Sequence, residues 1–239
     1  MSLPAFSLVI PAFNEAHRIG RSVCEVLRYL QEASPESELI VVDDGSTDAT
    51  PTIVEEAFRE ATAISTRLIR ETPNHGKGWA VRTGLRAATR PVGLFSDADL
   101  STPITEAPKL LEPIFAGEVD VAFGSRALNR KLIGVRQAWH REQGGRVFNL
   151  VVRLATGLPY WDTQCGFKAF RLETFRPILD RAQSDGFGFD VELLYFAHRA
   201  GLRLREIPVR WDHNDGSKVS FLRDSTRMLK EILELRTRS

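Results

Sequence analysis

Two aspartates one residue apart, Asp97 and Asp99, end the apolar run from Val92 to Phe95. In extended backbone, residues i and i+2 point to the same side, so the spacing predicts one shared site for both carboxylates. Two close carboxylates repel each other and call for a cation. Hard oxygen ligands at this density suit Mg²⁺ or Mn²⁺, with phosphate oxygens completing the shell. The plain alternative is a solvated turn carrying two surface acids.

The neighbouring elements weigh against that alternative. Phe6 to Ile10 reads as a buried strand bounded by Pro4 and Pro11, followed by Asn14, Glu15 and a helical pattern from Ile19 to Leu30. Leu39 to Val42 is a second apolar strand, and it ends in Asp43-Asp44-Gly45-Ser46-Thr47-Asp48. Pro51 follows early in a helix, with Ser46, Thr47 and Asp48 as candidate N-caps. Arg67 to Arg70 is a weaker strand. Asn74-His75-Gly76-Lys77-Gly78 then leads into a helix through Ala88. Thr102-Pro103 opens another helix, and Val119 to Phe123 is a strand ending in Gly124-Ser125-Arg126.

Strands that are continuous apolar runs, alternating with helices, predict an α/β fold with a mostly parallel central sheet and helices on both faces. Ligands bind at the carboxyl edge of such a sheet. The fold therefore predicts that Glu15, Asp44, Lys77, Asp97, Asp99 and Arg126 converge there. A dinucleotide site would need G-x-G-x-x-G after the first strand, where this chain has Pro11-Ala12-Phe13-Asn14-Glu15. Gly76-Lys77-Gly78 lacks the spacing and hydroxyl residue of a P-loop. Its glycines either admit a flat ligand close to the backbone or cap a helix.

The composition bounds the rest. The chain has 239 residues, a net charge of +1 and 43% hydrophobic residues, enough for one large domain with a real core. Near-neutral charge argues against a general nucleic-acid binder. Cys24 and Cys165 are far apart and lack metal spacing, as expected of reduced thiols in a cytosolic protein. No apolar run reaches the roughly 20 residues that span a bilayer, so the membrane contact expected of this chain is peripheral.

From Arg126 to Arg153 the chain carries seven basic side chains, among them Arg126 and Arg141, against the single acid Glu142. Phe148, Val151, Val152, Ala155 and Leu158 recur at helical spacing, flanked by Trp139 and Trp161. A basic amphipathic helix with interfacial tryptophans fits a membrane surface; a core-facing helix with a basic solvent face fits it too. Asp190 stands at the start of a helix running through Ala200. It is either a first-turn acid or a sugar ligand or base. Leu204 to Trp211 reads as a last strand and Phe221 to Leu235 as a final amphipathic helix. His213 lies in the polar loop between them, where a solvated histidine is the default over a metal ligand.

In order and spacing these stretches resemble the family-2 glycosyltransferases of the GT-A fold, and within them the dolichyl- or polyprenyl-phosphate β-glucosyltransferases. The likeness rests on Pro11 to Glu15, Val42 to Asp48, Asn74 to Gly84, Asp97-Ala98-Asp99, Gly124-Ser125-Arg126, Asp162 to Phe170, Phe189 to Leu194 and Gly216-Ser217-Lys218. The resemblance implies a single domain. Residues of about 5–125 would bind the nucleotide sugar and about 126–239 the acceptor. Pro11, Asn14 and Glu15 would line the nucleoside pocket and Asp44 would contact base or ribose, with Gly76 and Lys77 beside the base and diphosphate. The matching stretches add Asp43, Ala98 and Gln164 to the donor-binding set. Asp97 and Asp99 would hold Mg²⁺ or Mn²⁺. Arg126 and Arg141 would grip an acceptor phosphate, and Ser217 and Lys218 would close over the site.

A sugar hydroxyl acceptor needs a general base, whereas a phosphate monoester is already ionised and needs positioning instead. Arginine, with its planar fork, suits that task. The expectation is therefore in-line transfer with inversion from UDP-glucose to polyprenyl phosphate, at the inner face of a membrane. The rivals are a soluble glycosyltransferase using Asp190 as base on a hydroxyl acceptor, and a polyprenyl-phosphate mannosyltransferase using GDP-mannose. More distant are a sugar-1-phosphate nucleotidyltransferase and a membrane-binding module without turnover.

Overall fold

The computed structural model describes residues 3–61, 63–135 and 139–212, with Met228, Glu231, Ile232 and Leu235 beyond them; of 139–143, 146 and 147 it describes the backbone. Strands and helices alternate from the start: β1 (Ser7–Ala12), α1 (Ile19–Ala33), β2 (Glu38–Asp44), α2 (Thr50–Glu60), β3 (Ser65–Glu71), α3 (Lys77–Ala87) and β4 (Val92–Ser96). The chain continues through α4 (Ala107–Phe115), β5 (Val121–Ser125), α5 (Trp139–Thr156), β6 (Phe167–Arg171), α6 (Leu172–Arg181), α7 (Phe189–Arg199) and β7 (Leu204–Pro208). The strands form one sheet in the order β3-β2-β1-β4-β6-β5-β7.

Side chains alternate across this sheet, and both faces are covered. Leu8, Ile10, Leu39, Val41 and Leu94 join a core with α1, α2 and α4. Val9, Ile40, Val42 and Phe95 join a second core with α3, α6 and α7. Helices on both faces explain why the strands read as unbroken apolar runs. β3, at the edge, is only partly buried, which accounts for its weaker pattern.

β6 departs from the sequence reading. The stretch around Phe167 carried no assigned strand, yet it inserts between β4 and β5 and runs antiparallel to both. Its N-terminal end therefore lies at the carboxyl edge of the other strands, with Phe167 paired to Ser96. α6 follows it directly and is likewise not marked by the sequence pattern. β6 and β7 both come from the second half of the chain, so the two halves share one sheet.

Two local expectations are refined. α2 begins at Thr50 with Ala49 at the N-cap position; of the three candidate caps it is Asp48 that accepts from the helix's first N–H, Thr50 N at 2.9 Å, and it also accepts from Ala16 N at 3.1 Å, tying the turn after β1 to this helix start. Pro11 lies inside β1 rather than after it. It faces Val42 of β2, beyond the last β1–β4 pair at Val9 and Phe95, where its missing N–H costs no ladder bond to β4.

Candidate active site

A cleft of about 400 Å³ opens at the carboxyl edge of the sheet. Its walls come from the ends of β1, β2 and β4, the start of α3, and Phe187 from the loop before α7.

The turn after β1 is clamped from the turn after β2. Asn14 N donates to Ser46 Oγ at 2.8 Å, Thr47 N donates to Asn14 Oδ1 at 2.8 Å, and Glu15 N donates to Thr50 Oγ1 at 2.7 Å. Asn14 takes a left-handed conformation, φ 52°, which asparagine tolerates better than most residues. The two loops that the sequence assigned to one ligand thus hold each other, leaving Pro11, Phe13 and Glu15 on the cleft wall. Asn14 spends its side chain on the clamp. Asp43 is buried just behind the wall, and its Oδ1 has no hydrogen-bond partner among the described residues.

Asp44 ties β2 to the loop before α3. Its carboxylate accepts from Asn74 Nδ2, His75 N and Gly76 N at 2.7–2.9 Å. Burial pushes its pKa up even so, against those hydrogen bonds.

The glycines around Lys77 lie hard against protein backbone, and Gly76 also lines the cleft. Gly76 has φ 121°, and a Cβ on Gly76 or Gly78 would overlap the carbonyl oxygens of Asp185 or Ser184. Gly78 N donates to Asp185 O at 2.8 Å, and Arg82 bonds Ser184 O and the Asp185 carboxylate. The absence of side chains at Gly76 and Gly78 lets α3 start hard against this loop, and so presents Lys77 to the cleft.

Asp97 and Asp99 both line the cleft, but not through strand alternation. β4 ends at Ser96. The pair sits on a tight turn in which Leu100 N donates to Asp97 O at 3.1 Å. Lys77 Nζ stands 2.5 Å from Asp97 Oδ1, and Arg18 Nη1 stands 3.9 Å from Asp99 Oδ2. Asp99 Oδ1 also accepts from Ser101 N at 2.9 Å. Burial works against the Lys77 charge, but Asp97, Asp190 and Asp99 more than offset it and raise its pKa. Among the described residues no group of three or more His, Cys, Asp or Glu side chains could hold a metal. The donor set is therefore two carboxylates, with room in the cleft for a ligand's own oxygens. Such a set fits Mg²⁺ or Mn²⁺ bound jointly with a diphosphate.

The remaining candidates stand outside this wall. Arg126 presents its fork to Asp162, with Nε and Nη2 at 2.7 and 2.8 Å, and its guanidinium stacks 5.7 Å from the Trp211 ring. Asp162 is placed by Glu206, which accepts from Asp162 N at 2.8 Å and from Ser125 Oγ at 2.6 Å. Asp190 is buried in the first turn of α7 and accepts from Lys168 Nζ at 2.6 Å. Burial raises its pKa, against the pull of Lys168 and Lys77. Gln164 Nε2 reaches Met228 Sδ at 3.8 Å. Arg141 lies on α5, with its side chain outside the described atoms, and His213, Ser217 and Lys218 lie outside the described residues.

Arg18, Phe187, Gly166 and Lys168 were not singled out from sequence. Arg18 carries a weak signal, an i,i+3 pairing with Glu15 at a helix start. Gly166 and Lys168 lie in the Asp162 to Phe170 stretch that carries the family likeness, but nothing in it tells what they touch, because their partners are distant in sequence.

The chain matches the model for glycosyl transferase family 2 over residues 7–179. It belongs to that family. The match spans every residue of the cleft wall described above except Phe187 and extends through β6, so this glycosyltransferase has the family's sequence pattern over most of its candidate site. It is 32% identical to the dolichyl-phosphate beta-glucosyltransferase of Saccharomyces cerevisiae, over 96% of its own length and 73% of that protein's. It is 35% identical to the enzyme of the same name from Drosophila melanogaster, over 90% and 69% of the two chains. The fold is shared with glucosyl-3-phosphoglycerate synthase of Mycobacterium tuberculosis, solved with Mn²⁺, UDP and glucosyl-3-phosphoglycerate, at a TM-score of 0.69 and 22% identity, covering 98% of this chain and 79% of that one.

Proposed function

We propose that this glycosyltransferase moves glucose from UDP-glucose to a polyprenyl or dolichyl phosphate, with inversion and with a divalent cation. The name shared by its relatives from yeast and fruit fly supports the sugar and the acceptor. The single observation that carries the acceptor class is the state of Asp190: it is buried and already paired with Lys168. A carboxylate that is off the cleft wall and bonded to a lysine is badly placed to take a hydroxyl's proton, and a phosphate acceptor needs no base.

Asp97 and Asp99 would hold Mg²⁺ or Mn²⁺, which supplies charge neutralisation at the departing diphosphate. Lys77 and Arg18, both on the cleft wall, add donors for its oxygens. Phe13 offers the flat apolar wall that a nucleobase packs against, and Asp43 Oδ1 an unspent acceptor behind it. Arg126 keeps N–H groups beyond the two given to Asp162, available to an acceptor phosphate. Asp162 orients that guanidinium and holds it charged.

Among the described residues no helix is long and apolar enough to cross a membrane. Peripheral contact is supported by α5 and the loop after it. Leu150, Leu154 and Trp161 are 53%, 73% and 54% exposed, and the Arg153 guanidinium lies 3.8 Å from the Trp161 ring centroid. Apolar side chains beside a cation suit an anionic lipid surface.

Purified protein incubated with radiolabelled UDP-glucose, Mn²⁺ and polyprenyl phosphate tests the reading: label should enter the lipid phase. Transfer only to a sugar or glycerate hydroxyl would overturn the acceptor. Asp190→Asn separates the rivals further: in the folded variant, loss of a general base lowers turnover about 10²–10⁴-fold at saturating metal, whereas loss of the Lys168 partner shows as lost stability.

A further inference from the structure

Lys168 carries a charge where the sheet is driest. It is fully buried on β6, in register with Phe95 on one side and Phe123 on the other. Lysine is almost never fully buried unless paired. Here Nζ donates to Asp190 Oδ1 and to Cys165 O, both at 2.6 Å, and stands 5.4 Å from the Phe95 ring centroid. Stability does not account for the arrangement, because replacing both members of a buried ion pair with apolar residues is often neutral or better.

Both bonds lead toward the cleft. The Cys165 carbonyl fixes the turn that enters β6. The next residue, Gly166, accepts Asp97 N at 3.0 Å. Gly166 also lies so close to the Asp97 carboxylate that a Cβ there would overlap it. The other partner, Asp190, is one of the carboxylates that attract the Lys77 ammonium, which itself holds Asp97. Lys168 is thus one bond removed from two groups that bear on Asp97.

We infer that Lys168 is a positioning residue for the cation seat: it holds the 165–166 turn and Asp190 so that Asp97 and Lys77 face the cleft together. The inference rests on the proposed role of Asp97 and Asp99 as cation ligands.

The test measures Mn²⁺ binding to the full chain by electron paramagnetic resonance in the presence of UDP, for the parent, K168M and G166A. UDP affinity without metal is measured alongside by calorimetry. Removing an outer-shell partner of a metal ligand costs about 10–100-fold in metal affinity. Both folded variants should show a loss of that size; metal-free UDP affinity should stay at the parent's in G166A and should fall by less than the metal affinity in K168M, where Lys77 shifts as well. Parental Mn²⁺ affinity in either folded variant overturns the inference, as does a parallel loss of metal-free UDP affinity. Should K168M fail to fold, K168M/D190L, which leaves neither charge buried, takes its place under the same criteria; should that fail too, G166A decides. A parent chain that binds no Mn²⁺ with UDP sinks the metal reading and the inference with it, whereas a parent that binds beside unaffected variants sinks the inference alone.

Discussion

Lys77 Nζ lies 2.5 Å from Asp97 Oδ1, so the first acid of the cleft is met by a cation delivered from a different element. The lysine opens α3 and the aspartate follows β4, and what brings them together is the close seating of α3 on the loop before α7. Lys77 is then the cleft's ready donor for diphosphate oxygens. Lys77→Met should weaken UDP binding by about 1.5–3 kcal/mol, the worth of a hydrogen bond to a charged group. Calorimetry checks it, and unchanged affinity would remove Lys77 from the diphosphate site.

Gly78 makes that seating possible. A Cβ there would overlap Ser184 O and crowd Phe189 Cβ, and the obstacle is backbone rather than a flexible tip. Gly78→Ala should destabilise the fold by about 1–3 kcal/mol, as overpacking does, and should weaken UDP binding by displacing Phe187. Urea denaturation measures the first effect. A variant as stable as the parent would mean that the loop yields freely.

Acid should loosen the Arg126–Asp162 pair. Burial alone would push the Asp162 carboxyl up, but the charge and hydrogen bonds of Arg126 outweigh it and hold its pKa below the ordinary 3.8. A carboxyl depressed in the folded state binds fewer protons folded than unfolded. Its contribution is full above pH 3.8 and is lost as pH falls through the folded value. Asp162→Asn should therefore be less stable than the parent at neutral pH, by about 1.5–3 kcal/mol, the worth of hydrogen bonds between charged groups where the arginine is still partly exposed. The gap should narrow on acidification, and a gap that is constant with pH would contradict the pairing.

The exposed face around Leu154 carries the membrane reading. Leu154→Asp adds a charge at the most exposed of the large hydrophobic side chains described, one that does not line the cleft. It should lower co-flotation with anionic vesicles and leave UDP affinity alone. Equal flotation of variant and parent would place the lipid contact elsewhere.

Much of this was legible in the residues. Apolar runs such as Leu39 to Val42 mark strands buried on both faces, because a run without alternation has no solvent side. Polar residues that follow each run then share one edge, and that geometry brings Glu15, Asp44, Lys77, Asp97 and Asp99 toward one cleft. Local spacing went wrong where the backbone turned: Asp97 and Asp99 face together through a turn and not a strand.

The sequence by itself determined which chemistry is present and at which edge it collects, since period and residue type are local properties. Only the tertiary structure decided how that chemistry is held. The antiparallel entry of β6 puts Gly166 against Asp97 and Lys168 beneath Asp190, and it gives Arg126 to Asp162. Those pairings join residues far apart in the chain. Which distant partner neutralises a buried charge depends on strand order, and strand order leaves no mark on the spacing of the residues it joins.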